Sequence, residues 1–189
     1  MSAAGTIRVI AGSLKGRRLK APAWSGLRPT SDKLRETLFN VVAPRVVGAR
    51  VLDAFAGTGA LGIEALSRGA ARVTFVERDP RALSLIEENL ARCGVTDGYV
   101  IIRASVDEML ETLRQREAAD RFDLVLLDPP YEAEPSGALN GVGAFVSGDG
   151  LVVLEHARKR RAPATAGRLV RTRELIAGDS ALTFYACQP

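Results

Sequence analysis

From Arg50 onward the chain repeats one unit, and that repeat leaves few folds open. An apolar or β-branched run is followed by a turn and then by a stretch with helical spacing. The runs are RVLDAF (50–55), ARVTFVE (71–77), Tyr99–Arg103, FDLVLLD (122–128) and LVVLEH (151–156). Between them a helix starts near Gly59, and another runs from Pro80 to about Arg92 with Leu83, Ile86 and Leu90 on one face. Val106, Met109, Leu110 and Leu113 mark a third, and a helix is expected over Gly137–Val146. The run at 122–128 is apolar almost throughout, which fits a strand buried on both faces. Strands alternating with helices argue for a parallel sheet covered on both sides. Arg168–Ile176 and Ala181–Ala186 read as a closing antiparallel pair. A chain of 189 residues suits one such core with a small appendage.

The first strand of the repeat runs directly into a glycine loop. Gly57, Gly59 and Gly62 spell GxGxxG between strand and helix, where glycines permit a tight turn and close approach of a ligand to the backbone. Glu77 ends the next strand, 20 residues after Gly57, where a carboxylate can accept from both hydroxyls of an adenosine ribose. These features suit NAD and S-adenosylmethionine alike. Asp53 separates them. At the carboxyl end of its strand it is placed to attract the ammonium of an amino acid tail and to repel a pyrophosphate. Phe55 in the loop and Arg78 after Glu77 join Asp53, Gly57, Gly59 and Glu77 as candidate cofactor-binding residues.

The fourth strand ends in Asp128-Pro129-Pro130-Tyr131. Two prolines remove two backbone donors and leave carbonyls free to accept. Asp128 adds a carboxylate and Tyr131 an aromatic face. An amino group conjugated to a ring has matching needs: acceptors for two N–H bonds and a surface on which to stack. The segment falls where open α/β sheets bind ligands. Asp128 and a carbonyl of this segment are expected to hold a nucleobase amine in line with an activated methyl group. They would also stabilise positive charge developing on nitrogen. Such chemistry needs no metal and no covalent intermediate. His156, the single histidine, is expected to be structural, and Cys93 and Cys187 to be free thiols.

The N-terminal segment differs in character. Ile7–Ala11 and Arg17–Ala21 flank a Gly-containing turn and read as a hairpin. A loop over Pro22–Thr30 carries the only tryptophan, Trp24, which core packing is expected to claim. Ser31 then offers an N-cap to a helix with Leu34, Leu38, Val41 and Val42 on one face, ended by Pro44. Residues 1–50 hold ten Lys and Arg against only Asp32 and Glu36, although the net charge of the whole chain is just +4. A basic arm on a slightly acidic body suggests a polyanionic partner. A second basic stretch, Arg158–Arg161 with Arg168, Arg171 and Arg173, has no acid within it. No apolar run approaches the roughly 20 residues of a membrane span, and Met1–Gly12 lacks the apolar core of a signal peptide, so a cytoplasmic protein is expected.

Four blocks carry a family resemblance: RVIAGSLKGRRLKAP (8–22), LRPTSDKLRETLFNVV (27–42), VLDAFAGTGALGIEAL (51–66) and LVLLDPPY (124–131). In these the chain resembles the bacterial 16S ribosomal RNA guanine-N2 methyltransferases, the RsmD family, from Arg8 to about Tyr185. The resemblance implies a Rossmann-like class I S-adenosylmethionine methyltransferase. Its seven-stranded, mostly parallel sheet would have one antiparallel strand and would follow a small N-terminal β-hairpin extension. Residues 1–44 would be the RNA-contacting extension and 45–189 the methyltransferase domain. It further implies that Asp53, Gly57 and Gly59 line the methionine half of the cofactor and that Glu77 takes the ribose. Asp128, Pro129, Pro130 and Tyr131 would hold the target base. Lys15, Arg17, Arg18 and Lys20 would contact phosphates of 16S rRNA on the small subunit or its assembly intermediate. Arg28, Pro29 and Thr30 would close over the site, with Thr30 or Arg28 near the cofactor carboxylate or the RNA backbone. No membrane and no obligate protein partner is implied. One departure is Ser105, where many related enzymes place Asp or Asn for the adenine amine; Ser105, Asp107 or a backbone group is expected to serve.

The rival readings are a DNA adenine-N6 or cytosine-N4 methyltransferase, a protein glutamine N-methyltransferase, an NAD-dependent oxidoreductase and a non-catalytic RNA-binding assembly factor. The first lacks chain length for a target-recognition region. The second usually has Asn where Asp128 stands. The third leaves DPPY unexplained, and the fourth requires filled catalytic positions to be idle.

Overall fold

A computed structural model describes residues 7–24, 30–115, 121–130 and 134–188. A short antiparallel hairpin, β1 (Ile7–Arg8) and β2 (Arg18–Leu19), precedes α1 (Asp32–Val42). The repeat then runs β3 (Arg50–Asp53), α2 (Ala60–Ser67), β4 (Arg72–Glu77), α3 (Pro80–Cys93), β5 (Tyr99–Arg103), α4 (Val106–Arg114), β6 (Phe122–Leu127), α5 (Pro135–Gly143) and β7 (Val146–Ala157). It closes with β8 (Thr165–Ala166), β9 (Leu169–Ala177) and β10 (Ser180–Cys187). The main sheet has the order β5-β4-β3-β6-β7-β10-β9-β8. Strands β3 to β7 are mutually parallel, and β10 runs antiparallel to both β7 and β9. This is the expected seven-stranded sheet with one opposed strand, extended by the two-residue edge strand β8.

Alternation along the central strands shows why both faces are filled. Val51 of β3 and Leu124 and Leu126 of β6 point into one apolar cluster, while Leu52, Val125 and Leu127 point into the other. The helices obey local rules. Ser31 caps α1, its Oγ accepting from the Leu34 N–H at 3.2 Å. Asp79 caps α3 with Pro80 in the first turn, and Ser105 and Glu108 form a reciprocal capping box at α4. The helix expected over 137–146 instead spans Pro135–Gly143, so β7 begins at Val146, five residues before the apolar run at Leu151. Its glycines have a packing role. A Cβ on Gly141 would stand 2.5 Å from Leu110 Cδ1 of α4. Among the described residues no helix is long and apolar enough to cross a membrane.

The N-terminal hairpin and α1 share a core with the sheet. Ile7, Val9, Leu19, Leu38 and Phe39 belong to the same cluster as Val51 and Ile63. Buried polar groups on the main fold hold the hairpin. Glu64 of α2, fully buried, accepts from the Ile10 and Ala11 N–H groups at 2.7 and 3.0 Å. Asn89 of α3 exchanges bonds with the Lys20 backbone at 2.7 and 3.2 Å and reaches the Thr58 carbonyl at 2.9 Å. Gly12, at φ +84°, lets the turn close on the last turn of α2, where a Cβ would meet the Ser67 carbonyl. The turn therefore sits at the far end of α2 from the glycine loop, roughly 12 Å along an eight-residue helix.

Candidate active site

A cavity of about 820 Å³ opens at the carboxyl ends of β3, β4, β5, β6 and β7. One wall is the glycine loop with Glu77, Arg78 and Ser105; the other holds Asp128, Pro129, Pro130 and Glu155. Trp24, Thr30 and Leu34 of the N-terminal segment also line it.

The loop is built by its own acids. Gly57 and Gly59 take φ of 52° and 75°, which turns the chain from β3 into α2. A Cβ on Gly62 would come within 2.2 Å of the Phe75 ring, so only glycine lets α2 pack this closely on β4. Glu77 Oε2 accepts from the Gly57 N–H at 2.9 Å, and its Oε1 accepts from the Arg78 and Asp79 N–H groups at 2.8 and 2.9 Å. A carboxylate offers about four acceptor sites, so three are already taken by backbone. Asp53 lies beneath the loop and is not itself a wall residue. Its Oδ2 accepts from the Gly62 N–H at 2.9 Å, while Oδ1 is buried with no hydrogen-bond partner among the described residues. Burial pushes its pKa up to about 7; the Gly62 N–H opposes this, and the nearby charges of Asp128 and Glu77 add to it. Phe55 lines the cavity beside Gly57.

Ser105 also lines the cavity, but its hydroxyl serves the cap of α4, donating to Glu108 Oε2 at 2.8 Å and accepting from the Glu108 N–H at 3.2 Å. Asp107 of the same helix turn reaches the cavity too.

On the opposite wall, Asp128 follows β6. Its Oδ2 accepts from the Thr30 hydroxyl at 2.8 Å. Desolvation raises its pKa to about 6, with the Thr30 bond acting against the rise. Thr30 thus meets the DPP segment. Pro129 is buried and Pro130 exposed. Tyr131, Arg28 and Pro29, assigned from the sequence to the base and to the RPT block, lie outside the described residues.

Three features escaped the sequence reading. Glu155, 6% exposed, stands in the wall beside Asp128. Glu64 ties down the hairpin. Trp24 is not a core residue: it is half-buried at the cavity, with the Arg81 guanidinium 5.0 Å from its ring centre. An acid within an apolar strand, an acid on a helix and a lone aromatic in a loop carry no local signal of such roles. His156 is buried away from the cavity, with Nε2 2.8 Å from Thr183 Oγ1. Lys15, Arg17, Arg18 and Lys20 are exposed, Lys20 pairing with Glu88 at 2.7 Å. Arg158–Arg161 are exposed just past the carboxyl end of β7, and the Arg158 N–H donates to the carbonyl of the cavity residue Asp179 at 2.8 Å.

Comparison with known proteins agrees with this geometry. Residues 7–186 match the family model described as conserved hypothetical protein 95. YlbH of Bacillus subtilis is 40% identical over 182 residues, covering 95% of this chain and 98% of its own. Ribosomal RNA small subunit methyltransferase D of Escherichia coli K12 is 35% identical over 187 residues, 97% of this chain and 91% of its own. The solved structure of yhhF from Escherichia coli superposes with a TM-score of 0.84 at 31% identity, over 97% of this chain and 99% of its own. A more distant neighbour, SMU.776, solved with S-adenosylhomocysteine, shares the fold at 14% identity, with a TM-score of 0.68 over 80% of this chain and 49% of its own. By the extent of these matches, the chain belongs to the RsmD methyltransferase family.

Proposed function

We propose that this protein transfers a methyl group from S-adenosylmethionine to the exocyclic N2 amine of a guanine in 16S rRNA of the small ribosomal subunit. The observation that carries the reading is Asp128. Its carboxylate sits in the cavity wall ahead of two prolines and accepts from the Thr30 hydroxyl.

The residues present fit the cofactor. A cavity of about 820 Å³ lies within the range of small-molecule sites. The glycine loop exposes backbone, Glu77 keeps acceptor capacity toward a ribose, and the negative charge of Asp53 lies under the loop with one oxygen unsatisfied. S-adenosylmethionine, when bound, supplies a methyl group already activated by a sulfonium. Asp53, Phe55, Gly57, Gly59, Glu77 and Arg78 would hold it, and Ser105 or Asp107 would border its adenine.

Asp128 and a carbonyl of the DPP segment hold the amine by its two N–H bonds. This orients a nitrogen whose lone pair is otherwise delocalised and stabilises the charge that develops on it. Asp128, its pKa already raised by burial, is placed to receive the departing proton. Tyr131 completes the base site by stacking. Lys15, Arg17, Arg18, Lys20 and Arg28 contribute phosphate contacts, which add affinity and salt dependence without sequence choice. The names of the relatives support rRNA as the substrate class.

The test incubates the protein with labelled S-adenosylmethionine and small subunits from cells lacking it, followed by nucleoside identification by mass. Label in N2-methylguanosine is the expected result. Label in another nucleoside overturns the guanine assignment, and absence of label from a protein that binds the cofactor overturns the rRNA reading.

A further inference from the structure

The fold carries two exposed basic clusters, and they stand at opposite ends of the sheet. Lys15 and Arg17 belong to the hairpin turn, which closes on the last turn of α2, the end of that helix remote from the glycine loop. Arg158, Lys159, Arg160 and Arg161 instead follow the carboxyl end of β7 directly, and all four are exposed. Their turn is fastened to the cavity rim. Ala157 pairs with Ser180, the Arg158 N–H donates to the Asp179 carbonyl at 2.8 Å, and the Arg160 N–H donates to the Ala157 carbonyl at 2.9 Å. Asp179 and Ser180 both line the cavity. Strand β7 runs parallel to β6 with Leu154 beside Leu127, so the turn begins a few residues beyond the rung that leads to Asp128.

A base that enters this cavity stays joined to its ribose-phosphate strand, and that strand must run along the rim. The lining on this side is acidic, with Asp128, Glu155 and Asp179. Carboxylates there repel the phosphates that arrive with the base, and cations close to the rim offset that repulsion. Salt limits how far such cations can act, to about 8 Å at physiological ionic strength. The hairpin turn lies beyond that reach, about 12 Å down α2 from the glycine loop. Nearer the glycine-loop wall, Lys20 is paired with Glu88 and Arg81 with Asp79. Arg158, Lys159 and Arg161 make no ion pair with a described residue, and no acid occurs from Arg158 to Arg173 to neutralise them in sequence. We propose that the Arg158–Arg161 turn is a second RNA-binding element: it grips phosphates of the strand that carries the target base, while the hairpin turn docks a separate part of the RNA. This rests on the rRNA reading above and adds the surface that delivers the base to the site. Such contacts position the strand and carry no sequence choice of their own.

The experiment has two parts, both on the full chain with small ribosomal subunits as substrate. In the first, Arg158→Ala, Lys159→Ala and Arg161→Ala are combined; Arg160, which is engaged within the protein, is left in place. The KM for subunits is expected to rise about 10-fold at moderate salt, and the plot of log kcat/KM against log salt to become less steep by about 2, as for the loss of three phosphate contacts to a single strand. Cofactor affinity measured by calorimetry should stay unchanged, because the turn stands apart from the glycine loop. In the second, photoreactive benzoylphenylalanine replaces Lys159 or Lys15, one at a time, and the crosslinked nucleotides are mapped. Crosslinks from position 159 are expected beside the methylated nucleotide, and those from position 15 at a different part of the RNA. A folded triple variant with the wild-type KM and salt slope overturns the proposal. So do crosslinks from position 159 that are absent or that map away from the methylated nucleotide, a result that stands even if the triple variant fails to fold. Failure of the underlying reading shows separately, as a wild-type enzyme that places no label in rRNA.

Discussion

The two walls of the cavity both carry acids, yet they treat them in opposite ways. On the glycine-loop wall Glu77 accepts three backbone N–H groups, and beneath that wall Asp53 accepts one, so these carboxylates shape the loop before any ligand arrives. On the facing wall, Asp128 is held by the Thr30 hydroxyl and Glu155 by the Ser180 hydroxyl. The cause is written next to each acid. Arg78 and Asp79 follow Glu77 and turn their N–H groups back onto it. Pro129 and Pro130 follow Asp128 and have no N–H to offer. Among the described residues, backbone N–H groups claim the acids of one side, and side-chain hydroxyls hold those of the other. The first should tolerate loss of chemistry but not of shape; the second should behave the other way round.

The largest expected effect lies on the substrate wall. Asp128→Ala should lower kcat by about 100- to 1,000-fold, the usual consequence of removing a preorganised group that meets developing charge. Cofactor affinity and the thermal midpoint should change little. Near-normal turnover in a folded Asp128→Ala protein would end the proposed mechanism. Glu77→Ala should do the reverse. It releases three loop N–H groups, so the cofactor Kd should rise about 10- to 100-fold with the thermal midpoint falling, while kcat at saturating cofactor changes far less. If Glu77→Ala affected kcat alone, the division between the walls would be wrong.

A smaller effect concerns pH. Burial raises the pKa of Asp53 to about 7 from an ordinary value of 3.8. Between those values the folded protein binds a proton that the unfolded chain does not. The stability of the ligand-free protein therefore falls as pH rises through this window. Asp53→Asn keeps an acceptor for the Gly62 N–H and removes the charge. It should raise the thermal midpoint at pH 8 and leave it nearly unchanged at pH 4. In wild type the cofactor's ammonium meets a carboxylate only once Asp53 ionises, so cofactor affinity should rise through neutral pH, and this rise should be lost in Asp53→Asn. A thermal midpoint difference of equal size at both pH values would show that Asp53 acts through packing and not through charge.

Much of both walls was legible in the sequence because it is local. A glycine pattern between strand and helix, an acid 20 residues on and a Pro-Pro pair after an apolar strand each carry their geometry within a few residues. The position of Asp53 was less so. An acid at a strand's end can turn toward the ligand or under the loop, and only the packing of Gly62 against Phe75 decides. Glu155 was illegible for another reason. LVVLEH reads as a buried strand, and the value of its acid depends on the register of β7 with β6, a relation between residues 27 positions apart. Glu64 and Asn89 carry no local sign of their role, which exists only because the hairpin lies against α2 and α3. Ser105 carries a local duty besides: the serine that lines the cavity where a ligand contact is expected also caps α4.

The smallest expected signal comes from two residues of the N-terminal segment, one on each wall. Trp24 leans on Arg81, whose partner Asp79 donates its N–H to Glu77, and so it belongs to the cofactor wall. Thr30, six residues later, donates to Asp128 and belongs to the substrate wall. These two residues therefore stand on opposite walls of the cavity. Trp24 is the only tryptophan, so its emission reports this one place. Adding S-adenosylhomocysteine to the RNA-free protein should change its intensity or wavelength, because a ligand on the glycine-loop wall alters the exposure of a half-buried ring. Thr30→Val should leave that change intact while lowering kcat by about 10-fold, the value of one hydrogen bond to a charged group at the low end of its range. If Thr30→Val abolished the fluorescence change, the two walls would be coupled through this segment, and the independence argued above would hold only for the residues that line them.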